Sequence, residues 1–237
     1  SYSSPLTKNS AWDIRGDVNT RINDETSHYN VTGLKGEGGY SFYAFDVKWR
    51  AAGQYQYLFL DGEGFLDTFS GLVQGFVNLP RGYSLATGLN GGFVRFIDSD
   101  NKDLTQIQLN ASIAPSPQKY NWVVAALVGG NSAEYSENDH NGKSYFGLSA
   151  QMSSNYGAKI LYYVLASGVF TEHDEIDRAL YTKLRDDTII TLGGGLRYTI
   201  NRRFSVRNDT SWINSDSSLE AFTYSRFKTE FGLTYQF

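Results

Sequence analysis

Residues 219–237 read LEAFTYSRFKTEFGLTYQF. From Phe227 onward the odd positions are Phe227, Thr229, Phe231, Leu233, Tyr235 and Phe237, and the even ones are Lys228, Glu230, Gly232, Thr234 and Gln236. A two-residue period is that of a β-strand, whose successive side chains point to opposite faces. One face of this strand is therefore apolar and aromatic, the other polar and charged. A half-buried strand of a soluble protein alternates in the same way. Here, however, the pattern runs to an aromatic last residue, with Tyr235, Leu233 and Phe231 spaced back from it by twos.

That ending resembles the C-terminal signature strand of bacterial outer-membrane β-barrels. The resemblance implies that Phe231, Leu233, Tyr235 and Phe237 belong to an assembly signal read by the barrel-assembly machinery. It also implies that the odd face meets outer-membrane lipid, that the even face meets the lumen, and that the chain resides in the bacterial cell outer membrane.

Composition agrees with such a protein. The chain has 237 residues, enough for one large β domain, and no cysteine, which excludes a disulfide framework and a thiolate metal site. It is rich in Tyr, Phe and Gly and poor in Pro and Met. A mean hydropathy of -0.39 and the lack of a long apolar run exclude a transmembrane helix. They leave a membrane barrel open, because each spanning strand is only half apolar. A net charge of -4 gives a nucleic-acid partner no electrostatic footprint. No leader opens the sequence, as expected of a mature or excised product.

Taken in order, residues 1–10 read as a polar lead-in and 11–237 as the transmembrane barrel. Trp12, Ile14, Gly16 and Val18 alternate with Asp13, Arg15 and Asp17, and the pattern continues to Arg21. Residues 25–39 read as a polar, Gly-containing loop with room for a short strand. Tyr43, Phe45, Val47 and Trp49 then alternate with Ala44, Asp46, Lys48 and Arg50, before a tight turn at Ala51, Ala52 and Gly53. A strand over 54–65, a short connection at Asp67 and Thr68, and a strand over 69–79 follow. Pro80 to Gly82 marks a turn. Further strands read at 83–97, 104–113, 120–135, 145–152, 160–170, 188–200 and 204–213, with turns at 155–157, 201–203 and 214–218. Residues 171–187 are the most charged segment and read as strand extensions plus a loop rather than a short helix. The expected fold is all-β, a transmembrane antiparallel meander barrel of about 12 strands, or 14 if residues 25–39 and 171–187 each hold one more. A soluble sandwich is the alternative, disfavoured by strands of about 11–17 residues where about 5–6 is usual.

A second resemblance covers about 55 residues. Arg185 to Asp187, Tyr198 to Asn201, Asn214 to Asp216 and Tyr224 to Arg226 are similar to steps and turns of barrels fused behind tetratricopeptide repeats, including the surface lipoprotein assembly modifier family. It implies a translocation or assembly role with a periplasmic domain or partner.

Catalytic and metal motifs are absent from the sequence. His28, His140 and His173 all fall in expected loops, away from any metal-binding spacing. A hydrolytic site at a barrel wall would set a His beside a Ser or Asp, and none of the three reads as placed on a strand. Glu172, Asp174 and Glu175 read as a solvated acidic loop. The expectation is therefore no enzyme, no cofactor and no metal.

What remains is the inward side, its sense set by the last strand. It collects Asp13, Arg15, Asp17, Arg21, Asp46, Lys48, Arg50, Arg197, Arg207, Asp209, Arg226, Lys228 and Glu230, with basic residues in excess although the whole chain is acidic. Placing Arg or Lys toward lipid costs about 2–4 kcal/mol at the midplane, which assigns these residues to a lumen. The first functional expectation is a transport barrel that passes small polar or anionic solutes. The second is a translocation or assembly barrel exporting polypeptide or polysaccharide. The third is a structural or adhesive barrel acting through its loops.

Overall fold

Antiparallel strands follow one another in chain order, each hydrogen-bonded to its sequence neighbours. The computed structural model of the chain describes residues 2–7, 10–21, 30–97, 102–115, 120–135, 141–176, 181–201 and 203–235. Among them run thirteen strands: β1 (Tyr2–Thr7), β2 (Ser10–Arg21), β3 (Val31–Ala44), β4 (Val47–Leu60), β5 (Glu63–Leu79), β6 (Tyr83–Phe96), β7 (Leu104–Pro115), β8 (Tyr120–Ala133), β9 (Lys143–Tyr156), β10 (Ile160–His173), β11 (Asp186–Thr199), β12 (Phe204–Ser217) and β13 (Tyr224–Tyr235). The fold is the expected all-β meander. Residues 2–7, inside the polar lead-in of the sequence, form the short β1, which pairs with β2 from Tyr2 opposite Ile14 to Thr7 opposite Ser10. Helical pieces are short 3₁₀ turns, as at Pro80–Gly82 and Glu220–Phe222, and no described helix is long and apolar enough to cross a membrane.

Between residues 31 and 79 the number of strands is as expected but their turns are displaced. The segment expected as a loop at 25–39 is, from Val31, most of β3. The chain reverses at Phe45 and Asp46, with φ of 55° and 58°, and again at Asp61 and Gly62, with φ of 52° and 89°. Positive φ at both central residues is what a two-residue hairpin needs to match the twist of its strands. The strand expected through Asp46 therefore ends there, and Asp46 is a turn residue. Ala51, Ala52 and Gly53 are not a turn. They lie in the middle of β4, where Gly53 sits between Gly38 of β3 and Gly71 of β5. Asp67 and Thr68 likewise lie within β5. Residues 214–217 extend β12, their backbone paired with residues 187–190 of β11.

By contact the chain divides into two compact units. The first comprises Ser1–Val77, Ala86–Asn110 and Gly129–Ser144. In it the registers set Arg15 opposite Glu37, Asp17 opposite Lys35, and Arg50 between Ser41 and Gln74, so that these polar side chains share one face. The other face carries Ile14, Val18, Leu34, Tyr40, Tyr55, Phe69 and Val73, every one of them exposed.

The second unit comprises Asn78–Leu85, Ala111–Val128 and Tyr145–Phe237. Leu192 stands opposite Trp212, and Trp212 opposite Phe227, on its apolar face. Phe227, Phe231 and Leu233 are more than 70% exposed. Along β11, Ile190, Leu192 and Leu196 are exposed while Thr191 and Gly193 between them are half-buried. In a sandwich the strand faces that meet each other bury such residues. Here Leu219 is the only buried hydrophobic residue among those described, so the apolar faces require a surrounding other than water.

Candidate functional site

The site follows from register, because residues directly opposite on antiparallel strands share a face. In the first unit Arg50 is its centre. Its Nε donates to Asp13 Oδ1 at 3.2 Å, its Nη2 donates to Asp13 Oδ2 at 2.8 Å, and Nη2 also donates to Glu37. Arg15 Nε approaches the same Asp13 carboxylate at 3.5 Å. All three members of the Arg50 cluster are nearly covered, with side-chain exposures of 11% for Arg50, 16% for Asp13 and 13% for Glu37. Gly39 leaves the space that the guanidinium occupies, since a Cβ there would meet it. Lys48 stands opposite Tyr43 and opposite Phe76 on the same face. Arg21 pairs through its backbone with Val31, and its side chain lies outside the described residues.

In the second unit Arg197 stands opposite Arg207, while Asp209 stands between Gly195 and Glu230. The Tyr163 hydroxyl donates to Asp209 Oδ1, and Arg207 Nε lies 3.4 Å from Asp209 Oδ2. Lys228 Nζ lies 2.8 Å from Glu230 Oε1. The Arg226 guanidinium sits 5.3 Å from the centre of the Tyr224 ring. Like charges directly opposite each other on a sheet are destabilising. Asp209, the carboxylate that Arg207 approaches, already accepts from Tyr163, and Glu230 opposite it is taken by Lys228. Among the described residues Arg197 makes no ion pair. This arrangement can attract an anion.

At the long-connection end of the same face lies a group the sequence concealed. His173, expected in a loop, is the last residue of β10, and its Nε2 is 3.8 Å from Asp187 Oδ2 on β11. Asp187 is buried and takes Arg185 at 2.8 Å, with Ser217 as a further hydrogen-bond partner. The Arg185 guanidinium stacks 3.5 Å from the centre of the Phe222 ring. His28 and His140 lie outside the described residues, and no cluster able to hold a metal ion occurs among those described.

Sequence reasoning missed Lys35 and Glu37 because it read their segment as a loop. The Lys-Gly-Glu alternation of residues 35–37 was the available signal. It also missed the pairing of Tyr163 with Asp209, 46 residues apart, which only register reveals. Of the residues assigned to an assembly signal, Phe231 and Leu233 are exposed on β13, Tyr235 pairs through its backbone with Phe204, and Phe237 lies outside the described residues.

No family model matches the sequence, and no curated protein matches it. Solved structures resemble it in strand path. The β domain of the Bordetella autotransporter BrkA is 13% identical, with 97% of this chain and 99% of that one covered and a TM-score of 0.39. A bacterial polysaccharide outer membrane secretin is 11% identical over 94% of this chain and 76% of that one, with a TM-score of 0.49. In-vitro folded OmpT, an outer membrane protein of Vibrio cholerae, is 11% identical over 98% and 99%, with a TM-score of 0.46. The expectation that the chain is not an enzyme does not stand: its ground was that no histidine is placed on a strand, and His173 lies on β10 beside Asp187.

Proposed function

We propose that residues 11–237 form a β-barrel of the bacterial outer membrane, assembled there by the barrel-assembly machinery, whose charged face lines a water-filled path for small polar or anionic solutes. Strand length supports the membrane reading. The 14 residues of β4, at about 3.4 Å each and a tilt of about 40°, reach about 36 Å along the membrane normal, enough to cross an apolar band about 25 Å tall. The exposed apolar face then meets lipid, and the opposite face meets water.

On this reading Asp13, Arg15, Asp17, Lys48, Arg50, Arg197, Arg207, Asp209, Arg226, Lys228 and Glu230 line the lumen, joined by Lys35 and Glu37, with Arg21 continuing the row. Asp46, at a hairpin turn, belongs to the rim. The observation that carries the choice of solute is Arg197 opposite Arg207. Whereas Arg50 is neutralised by Asp13 and Glu37, this pair keeps an uncompensated positive charge. Rings of charge of this kind set selectivity in pores.

The test is the reversal potential of single channels in planar bilayers under a potassium chloride gradient. Anion preference is expected, and replacing Arg197→Gln and Arg207→Gln together should bring it close to zero. Cation preference in the unmodified protein, or a preference unchanged in the double variant, refutes the assignment. Folded protein that never conducts refutes an open path.

A further inference from the structure

One ion pair lies on the wrong face for a lumen. Asp67 of β5 stands opposite Tyr57 in the register that also places Tyr55 opposite Phe69, which puts Asp67 on the apolar face. Arg95 of β6 donates from Nη2 to Asp67 Oδ2 at 2.7 Å, and the Tyr55 hydroxyl lies 3.4 Å from the same oxygen. Asp67 is covered, with 12% of its side chain exposed, but Arg95 is 66% exposed, and its neighbour on the face, Phe93, is 62% exposed. Asp67 takes one Arg95 nitrogen of a group with five N–H donors, and the Asp103 carboxylate acts on it through space.

Placement along the strand makes this arrangement tolerable. Asp67 is the fifth residue of β5, and Arg95 is next to the last of β6, both near the turn at Asp61 and Gly62 and the connection after Phe96. If β5 is centred in the bilayer, Asp67 lies about 2 Å inside the edge of the apolar band, where the cost of a cation falls toward about 0–1 kcal/mol. Aromatic side chains gather at that level, as they do at membrane interfaces: Tyr55, Tyr57, Phe65, Phe69 and Phe93. Tyr55 also forms one wall of an apolar groove of about 540 Å³ bounded by Val18, Leu34, Gly36, Tyr57 and Phe59.

We infer that Arg95, held by Asp67, is a headgroup site for a phospholipid of net negative charge, whose acyl chain lies in the neighbouring groove. The inference rests on the membrane reading above and adds a bound lipid to it. A largely exposed guanidinium in an aromatic belt finds its complement, at the level where headgroups sit, in a phosphodiester whose charge no cation of the same headgroup offsets. Asp67 orients it through a charge-assisted bond.

The experiment compares spin-labelled phosphatidylglycerol with spin-labelled phosphatidylcholine around the full chain reconstituted in phosphatidylcholine vesicles. The motionally restricted fraction should favour phosphatidylglycerol by about tenfold or more, the lower end of what one charge-assisted hydrogen bond contributes. Arg95→Gln should abolish the preference, whereas Asp67→Asn, which leaves the guanidinium in place, should keep or raise it. Equal restriction of both lipids by inserted protein overturns the inference, as does displacement of the labelled lipid by inorganic phosphate, which would mark a site for a free anion. A chain that folds but does not insert into either vesicle overturns the membrane reading itself.

Discussion

Replacing Arg50→Met removes the cation that Asp13 and Glu37 share. Arg50 makes three hydrogen bonds to the two carboxylates, and each bond to a charged partner contributes about 1.5–3 kcal/mol. The carboxylates left behind are nearly covered, and breaking a buried ion pair from one side costs about 3–5 kcal/mol. Water entering the polar face relieves part of that, so the expected loss is about 3 kcal/mol. With a urea dependence of about 2 kcal/mol per molar, the unfolding midpoint in lipid vesicles should fall by about 1.5 M. Asp13→Asn alone should cost about half as much, since Glu37 still holds the guanidinium. The triple variant Arg50→Met, Asp13→Asn, Glu37→Gln should recover most of the loss, because the one charge left without its partner, Arg15, is exposed. Screening should change little between dilute and concentrated salt, as the pair is covered. A midpoint shift below about 0.3 M for Arg50→Met refutes the reasoning. So does an Asp13→Asn cost that is the same with and without Arg50, since coupled residues cannot behave additively.

Single nitroxide-labelled cysteines in place of Ile190, Thr191, Leu192, Leu196 and Arg197 should alternate in access: oxygen should reach the sites of Ile190, Leu192 and Leu196, and a water-soluble nickel chelate those of Thr191 and Arg197. Equal access at adjacent sites would dismiss the two-faced sheet. Gly195→Ala should destabilise by about 1–3 kcal/mol in urea titrations, because a Cβ there would meet the Asp209 carboxylate and the Tyr163 ring. Gly53→Ala, whose Cβ would meet open space, should be neutral or stabilising by up to about 1 kcal/mol. If the two glycine variants are alike, the crowding at Gly195 is not as described.

Strands were legible in the sequence wherever the two faces differ in polarity. β7 alternates apolar with polar residues from Gln106 to Ile113, β13 does so from Phe227 to Tyr235 apart from Thr229, and β11 from Ile190 to Thr199 apart from its glycines, and each stands within a few residues of its expected limits. β3 was hidden because Gly33, Gly36, Gly38 and Gly39 remove the apolar member from much of its alternation. The hairpin at Phe45 and Asp46 was hidden for the opposite reason. A bulky aromatic occupies a left-handed position where Asn or Gly is the usual signal, while the small residues 51–53 imitate a turn within a strand. Serine and aspartate at 214–218 imitate one too, yet the ladder to β11 satisfies their backbone through Ser217. As for the site, the charges of β2 and β13 could be assigned to one face from period alone. Which charge meets which could not, because Arg50 reaches Asp13 across 37 positions and Tyr163 reaches Asp209 only through two ladders.

Every ladder in this meander joins segments that are neighbours along the chain, and two of the reversals take only two residues. The entropy of closing a loop grows with the logarithm of its length, so each pairing is among the cheapest the chain could form. Structure can therefore be acquired hairpin by hairpin, each completed strand serving as the template for the next, with no distant contact required beforehand. A cut in the turn at Gly157, Ala158 and Lys159 would sever only the covalent link between β9 and β10 and leave every other ladder within one fragment or the other. Two such pieces, made separately, carry complementary edges at β9 and β10, and a closed barrel joins them at a second seam between the first and last strands.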